Sequence, residues 1–290
     1  MRSPAEAVRW ACLVEATSPK VGNVFPGRPF VDLSYEDFVA AAEIASTHFA
    51  ACEQFSLAIK RSVEETVQRC KTNVNLGILL LLGPLVAADH RLQHQEIDHP
   101  CDEDWLVEIG HVLQGLSVED HRLIFEAIGL SSAGGLGKAD RWDVNDSYDQ
   151  VNLIEAMADS AARDRIAMQY ATDFGDLFSS ILPIVAESIE ACGDLMRGVV
   201  SAHIKLLAGF PDSLIARKNG NEVASEVQKL ASQVDVDNPE QVKEFDTFLR
   251  DDGHRLNPGT TADLIAASLY VLFRGLPAAR CMSTRKGVKG

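Results

Sequence analysis

The chain has 290 residues, enough to bury the core of one large domain or two small ones. Its formal net charge of −15 argues against a nucleic-acid partner and against an anionic membrane surface, since both require a basic protein surface. Six scattered cysteines without a CxxC pair favour reduced thiols in the cytoplasm, and the N-terminus lacks a basic-then-apolar signal.

Helical patterns dominate the first part of the chain. Residues 4–17 carry apolar side chains at spacings of three and four, which predicts an amphipathic helix. Ser34 and Asp37 resemble a capping box, so a long helix is expected over 35–59. Ser62 is expected to start another, short helix.

The most apolar run, 76–88, is too short to cross a bilayer and contains Pro84, so a buried helix kinked at the proline is expected. The polar segment after it contains the i,i+4 pair His90 and His94, close to Cys101. No HExxH motif is present, and a solvated helix end with a linker is preferred to a metal site.

Ser117 and Asp120 form another capping box, which predicts a helix to about residue 128. The glycine-rich stretch 129–149 could cradle a phosphate or serve as an ordered connector. Further helices are expected over 150–172, 176–192, 194–208, 239–252 and 260–274, with a polar turn over 210–220.

The pattern lacks strand alternation, hairpin signals and a βαβ rhythm, which predicts an all-α fold. We expect a single multi-helix domain over 1–280, with a cleft formed by inter-helix loops. The basic, glycine-containing tail over 281–290 is expected to be flexible.

A helix start near the C-terminus carries the strongest chemical signal. Asn257 is a good helix cap, and Pro258 suits the first helical position. Gly-Thr-Thr at 259–261 then places backbone N–H groups and two hydroxyls at the positive helix end, which favours anions. Asp263 faces the same helix mouth and would repel a phosphate unless a cation lies between them or it transfers a proton. The alternative is a capped helix whose Asp complements the helix dipole.

Two earlier stretches have a related character. The Pro- and Gly-rich loop 18–29 carries Lys20 and Arg28, but Arg-Pro replaces the Lys-Ser/Thr of a P-loop, which excludes that motif. Two Asn residues and a Gly at 73–77 open the apolar helix, as a second candidate anion or sugar site or as a plain helix cap.

Read together, four of these loops resemble the triphosphoribosyl-dephospho-CoA synthase family, the maturation enzymes of citrate lyase and malonate decarboxylase. The similar blocks are Glu15 with Pro-Lys-Val-Gly-Asn-Val (19–24), Asn-Val-Asn-Leu-Gly (73–77), Asp-Ser-Leu (212–214) with Arg-Lys-Asn-Gly (217–220), and Asn-Pro-Gly-Thr-Thr-Ala-Asp-Leu-Ile (257–265). Their order and spacing extend over nearly the whole chain, which is more specific than any single block.

The resemblance implies an all-α enzyme that uses ATP and Mg²⁺. In the family reaction, the 2′-hydroxyl of dephospho-CoA attacks C1′ of the ATP ribose, and adenine leaves. A carboxylate can accept the proton of the attacking hydroxyl and stabilise an oxocarbenium-like centre. The resemblance places catalytic carboxylates at Glu15, Asp212 and Asp263. The expected metal ligands are Asp212 and Asp263, with Asp32 in reserve. The resemblance also places ligand-binding residues at Lys20, Gly22, Asn23, Asn73, Asn75, Gly77, Arg217, Gly259, Thr260 and Thr261.

The chain departs from the family pattern at Asn75-Leu76, where the family has His-Lys, and at Ser213-Leu214, where it has Thr-Asn. Two alternatives therefore stay open: a kinase-like or hydrolytic nucleotide enzyme of pterin or furan C1-carrier biosynthesis, and a non-catalytic helical binding protein. The expected partners are ATP and dephospho-CoA or a related acceptor, without nucleic acid or membrane. The sequence leaves the oligomeric state open, with a homodimer among the options.

Overall fold

The computed structural model describes residues 3–51, 53–72, 74–97, 99–131 and 152–275. Within them the chain forms fourteen α-helices and no β-strand, so the all-α prediction is confirmed. The helices are α1 (Pro4–Thr17), α2 (Tyr35–Ala51), α3 (Phe55–Cys70), α4 (Leu76–His94), α5 (Asp102–Gln114), α6 (Val118–Leu130), α7 (Leu153–Ser160), α8 (Arg165–Ala171), α9 (Leu182–Cys192), α10 (Leu195–Gly209), α11 (Ser213–Asn219), α12 (Asn221–Ala231), α13 (Pro239–Arg250) and α14 (Gly259–Phe273).

The centre of the fold is the pair α4 and α14, which pack against each other and against α1. Thirteen of the nineteen residues of α4 and eleven of the fifteen residues of α14 are buried. Both helices are apolar on nearly every side, as expected of helices surrounded by others. α4 is long and apolar enough to span a bilayer, but 72% of its most apolar 18-residue stretch is buried inside the protein, as in a core helix.

A second, smaller hydrophobic cluster joins α10 to α11, α12 and α13, with Val21 from the loop after α1 among its members. Gly22 holds that loop in place with a positive φ of 71°. A Cβ at Gly22 would lie 2.9 Å from Leu249 Cβ and 3.0 Å from Pro258 Cδ, so only glycine permits this close approach. The loop that contains Lys20 is therefore fixed against α13 and against the start of α14.

Several expected helices are divided differently in the structure. The prediction of one helix over 35–59 is wrong, because α2 ends at Ala51 and α3 runs from Phe55 to Cys70. Ser62 is buried in the middle of α3, so the prediction that it starts a helix is also wrong. Because α2 and α3 pack against each other, the chain must reverse direction between them.

The helix expected over 150–172 is also two helices, α7 and α8. The carboxylate of Asp164 accepts hydrogen bonds from the N–H groups of Ile166 and Ala167 and so starts a new helix. The turn expected over 210–220 contains the short helix α11. The expected helix over 176–192 opens with a π-helical segment, Leu177–Ile181, before α9. Most of the glycine-rich stretch 129–149, and the whole tail 281–290, lie outside the described residues.

Candidate active site

Five helix ends meet around the carboxylate of Asp263. The end of α1, the starts of α4, α8 and α14, and the short helix α11 with its capping residue each contribute one or two residues there. We call these residues the Asp263 cluster; its members are Glu15, Gly77, Asp164, Asp212, Arg217 and Asp263. The cluster brings together residues that are far apart in the chain: Glu15 and Asp263 are separated by 248 positions (263 − 15).

Asp263 lies directly over the first turn of α4. An ideal Cβ at Gly77 would be 2.0 Å from Asp263 Oδ2 and 2.7 Å from Ile166 Cδ1, so the missing side chain of Gly77 makes room for the carboxylate. Among the described residues no hydrogen bond or ion pair holds this carboxylate, in contrast to the other acids of the cluster. Asp263 therefore keeps its acceptor capacity for a ligand.

The surroundings of Asp263 favour its protonated form. Although the residue keeps partial solvent exposure, burial of its carboxylate raises the pKa of Asp263 well above its ordinary value. The negative charges of Glu15, Asp212 and Asp164 raise this pKa further, while the Arg217 guanidinium lowers it. A cation bound nearby would oppose the same repulsion, so the charge state of Asp263 responds to what occupies the site.

Asp212 has a different environment, since every acceptor position of its carboxylate is used. Its Oδ1 accepts from the N–H groups of Leu214 and Ile215 at 2.9 and 3.1 Å, and so caps α11. Its Oδ2 accepts from the Thr261 N–H at 2.7 Å and from the Thr261 hydroxyl at 2.8 Å. A carboxylate has about four lone-pair positions, so these four donors saturate it. Burial raises the pKa of Asp212, and the hydrogen bonds from Thr261 oppose that shift.

The N-terminus of α14 consequently has fewer unpaired N–H groups than the sequence suggests. Thr261 N–H, one of the unpaired donors expected there, is satisfied by Asp212. The expected cap is also wrong: Pro258 is the capping position, and Asn257 instead accepts a hydrogen bond from Asn23 Nδ2 at 2.9 Å. A tertiary carboxylate thus takes part of the anion-binding capacity of this helix end.

Glu15 and Lys20 form a buried ion pair beside Asp263. Lys20 Nζ lies 2.9 Å from Glu15 Oε1 and also donates to the Glu15 carbonyl. The Lys20 side chain is 0% exposed, so its charge is directed at Glu15 and not at solvent. Glu15 Oε2 is buried and lacks a hydrogen-bond partner among the described residues. Burial, and secondly the Lys20 charge, lower the pKa of His203 well below its ordinary value.

Arg217 is the partly exposed cation of the cluster. Its Nη1 lies 3.3 Å from Asp164 Oδ2, across the boundary between α11 and α8. The same two helices are joined by a hydrogen bond of 3.0 Å from Arg165 N–H to the Ser213 hydroxyl. These contacts place one positive charge at the edge of a site that is otherwise acidic.

The remaining expected ligand-binding residues lie around the same helix ends. Asn23, Asn75 and Thr260 are buried, and Asn75 is the capping residue of α4. Gly259 lies against Leu214, whose Cδ2 would be 2.6 Å from a Cβ at that position. Asn73 lies outside the described residues.

The expected metal ligands do not form a preformed metal site. No group of three or more His, Cys, Asp or Glu side chains among the described residues is arranged to hold a metal ion. Asp32 is 63% exposed and pairs with His254 at 3.1 Å. A metal at this site would therefore depend on oxygen atoms from a ligand as well as from the protein.

Asp164 is the cluster residue that sequence reasoning missed. The apolar spacing on both sides of it is helical, so the pattern reads as one continuous helix and hides the capping residue. An Asp two and three residues before the amides it caps is a recognisable helix start, and that signal could have located it.

The fold and the site together define a class of protein: an all-α enzyme with a carboxylate-rich centre at converging helix ends. A family model described as CitG, ATP:dephospho-CoA triphosphoribosyl transferase, matches residues 1–280, and the chain belongs to this family. The predicted family, and with it a transferase that uses ATP in prosthetic-group biosynthesis, is confirmed.

A solved structure gives an independent comparison of the fold. The chain is similar to a crystal structure from Archaeoglobus fulgidus of a protein proposed to be a triphosphoribosyl-dephospho-CoA synthase. The TM-score is 0.64 at 24% sequence identity, with 82% of this chain and 97% of that chain covered. At this identity the likeness supports the fold alone. No curated protein matches the chain significantly.

Proposed function

We propose that the Asp263 cluster is the place where the family reaction occurs, with the ribose of ATP next to Asp263. The observation that carries this proposal is the carboxylate of Asp263, which lies over Gly77 without a protein hydrogen bond among the described residues. Ionising an acid whose pKa is raised by its neighbours is costly to a fold, and such groups are concentrated at functional sites.

The proposed reaction breaks the bond from C1′ of the ribose to adenine and forms a bond from C1′ to the 2′-oxygen of dephospho-CoA. Asp263 accepts the proton of the attacking hydroxyl as that bond forms, and its negative charge stabilises positive charge that develops at C1′. Adenine leaves with the electron pair of the broken bond and takes one proton from solvent, and the proton on Asp263 returns to solvent, so the reaction balances. Asp263 must be ionised for this step, which the Arg217 guanidinium and a bound cation would favour by opposing the repulsion that raises its pKa. Once ionised, a carboxylate with a raised pKa binds the proton more strongly than an ordinary Asp.

Glu15 and Arg217 have supporting roles in the proposal. Glu15 lies close enough to Asp263 to raise its pKa, and its buried ion pair with Lys20 fixes its position. Arg217 is the partly exposed cation at the edge of the site and would contact the phosphates. Lys20, expected from the sequence as a phosphate contact, is proposed instead to hold Glu15, since its ammonium is fully buried. Asp212 is proposed to fix α11 to α14.

The residues present fit a Mg²⁺ ion that arrives with the nucleotide. Mg²⁺ is commonly held by one or two carboxylates together with substrate phosphates, and Asp263 offers unoccupied oxygen atoms for this. Asp212 fits poorly, because four donors already saturate its carboxylate. When bound, the ion would neutralise charge on the triphosphate and reduce the repulsion between the phosphates and Asp263.

A cytoplasmic location is part of the same proposal. Four described cysteines, including the buried Cys12, are free thiols, which suits a reducing compartment. The acidic composition gives no support to a nucleic-acid partner. The oligomeric state, a homodimer included, stays a prediction.

The test is incubation of the purified protein with ATP, Mg²⁺ and dephospho-CoA, followed by an assay for free adenine. Adenine release that requires dephospho-CoA is expected. Release of ADP or inorganic phosphate would instead indicate a kinase-like or hydrolytic enzyme, and ATP binding without turnover would indicate a binding protein. ATP with Mg²⁺ should also raise the melting temperature, since a ligand that binds only the folded state stabilises it.

A further inference from the structure

Asp164 makes two kinds of contact that belong to different parts of the fold. Its Oδ1 caps α8 by accepting from the N–H groups of Ile166 and Ala167 at 2.8 and 3.3 Å. Its Oδ2 lies 3.3 Å from Arg217 Nη1 on α11. The two carboxylate oxygens are thus divided between holding a helix start and holding a side chain of the Asp263 cluster.

The residues after Asp164 join the same helix start to both sides of the site. Arg165 N–H donates to the Ser213 hydroxyl, which lies directly after Asp212 in the chain. Ile166 Cδ1 lies beside Gly77, where it would be 2.7 Å from a Cβ. The segment 164–166 therefore contacts α11 and the start of α4 at once.

The Arg165 side chain anchors this segment to the protein body. Its Nε and Nη2 donate to the two oxygens of Asp176 at 2.9 and 2.8 Å, a bidentate pair. Its guanidinium also lies 3.4 Å from the ring centroid of Phe210, just before α11. Because Arg165 is held on two sides, the adjacent Asp164 is fixed relative to α11.

We infer that Asp164 is a positioning residue that orients Arg217 toward the phosphates of the nucleotide. The inference deepens the proposed function and rests on it. Arg217 has a long side chain whose partly exposed guanidinium would otherwise sample many rotamers. A carboxylate on a rigid helix start removes much of that freedom before the nucleotide binds, and leaves other N–H donors of the guanidinium for phosphate oxygens.

Two substitutions separate the capping contact from the contact with Arg217. Asp164→Asn keeps a carbonyl oxygen that can cap α8 and removes the charge that faces Arg217. Asp164→Ala removes both contacts. Asp194 offers a matched control, since its carboxylate caps α10 by accepting from the Arg197 N–H and makes no hydrogen bond or ion pair with the Asp263 cluster among the described residues.

For Asp164→Asn we expect about a tenfold rise in the KM for ATP, with kcat within about threefold of the wild-type value. Its melting temperature should stay near that of the wild type, whereas Asp164→Ala and Asp194→Ala should both melt lower through loss of a cap. Asp194→Asn and Asp194→Ala should leave the KM for ATP unchanged. A merely structural Asp164 would change the melting temperature without this difference in KM.

A double-mutant cycle with Arg217→Gln decides whether the effect passes through Arg217. Each single variant should raise the KM, and the Asp164→Asn change should add nothing further in the Arg217→Gln background. An unchanged KM in Asp164→Asn, or effects of the two substitutions that multiply, would overturn the inference.

ATP binding measured by calorimetry keeps this test separate from the proposed function. If the wild type releases no adenine, the proposed function fails, and the same cycle is read from the dissociation constant for ATP. The positioning role is supported if Asp164→Asn raises the dissociation constant for ATP tenfold in the wild-type background and leaves it unchanged in the Arg217→Gln background. Equal dissociation constants in all variants contradict it.

Discussion

The carboxylate of Asp263 occupies the space that a side chain at Gly77 would need. A Cβ there would lie 2.0 Å from Asp263 Oδ2 and 2.6 Å from its Cγ, closer than any real contact of this kind. Residues 186 positions apart in the chain (263 − 77) are thus fitted to one another at the atom proposed to take the proton. The relationship makes Gly77 a direct probe of where that carboxylate must be.

Gly77→Ala should displace Asp263 and lower the rate of adenine release by about a hundredfold, since misplacement of a catalytic group by about 1 Å costs on that order. Alanine favours helix formation over glycine, so a large loss of helix content is not expected. Gly110→Ala in α5 is the matched control, because a Cβ there meets no atom within 4 Å. It should be fully active and more stable by about 0.5–1 kcal/mol. Equal activity of the two variants would contradict the proposed position of Asp263.

Asp263→Asn should abolish adenine release and leave the fold intact, because no described residue depends on this carboxylate for a hydrogen bond. Its effect on stability should depend on pH. Burial raises the pKa of Asp263 in the folded state, so the folded protein binds a proton more strongly than the unfolded chain does. Wild-type stability should therefore fall as pH rises from the ordinary Asp pKa through the raised value.

Asn cannot ionise, so the difference in melting temperature between Asp263→Asn and the wild type should grow in favour of the variant across that pH range. Thermal unfolding at a series of pH values measures it. Below the ordinary Asp pKa the two proteins should melt alike. A variant that melts lower than the wild type at every pH would show that Asp263 is a structural cap of α14.

Lys20→Met should destabilise the protein by about 3–5 kcal/mol, because it leaves the buried carboxylate of Glu15 without its partner. In the double variant Lys20→Met with Glu15→Gln, the buried charge is gone and most of that stability should return. Chemical denaturation measures both. If Lys20 were instead a surface phosphate contact, Lys20→Met would raise the KM for ATP with little change in stability.

The local chemistry of the site could be read from the sequence because each helix start carries its own signal. The residue types around Asp263 and Gly77 made both stretches candidate sites, with a plain helix cap as the alternative, and the family resemblance then assigned both residues to the predicted site. Their mutual contact could not be predicted in this way. It depends on how α14 crosses the start of α4, which buried apolar residues on both helices decide.

Two features of the site depend on tertiary partners that local sequence patterns do not reveal. Thr261 N–H looks unpaired within its own helix, but Asp212 reaches it from 49 positions away. Lys20 lies in a Pro- and Gly-rich loop, which is typical of the protein surface. Because Gly22 allows that loop to pack closely against α13, the Lys20 side chain is buried. Burial of a charge is set by the whole fold, and only the fold could show it.

Asp212 allows the sharpest distinction between a structural and a catalytic carboxylate. Asp212→Asn keeps an oxygen to cap α11 but directs an NH₂ group at the Thr261 N–H, where two donors then face each other. Leaving buried donors unsatisfied costs about 1–3 kcal/mol each, so we expect a loss of about 2–4 kcal/mol in unfolding free energy. Thr261→Val removes only the hydroxyl donor and should cost about 1 kcal/mol. Chemical denaturation of the three proteins gives the comparison, with adenine release measured in parallel. A fully stable but inactive Asp212→Asn would instead assign Asp212 to the chemistry, since a fold that tolerates the substitution cannot depend on the contact with Thr261.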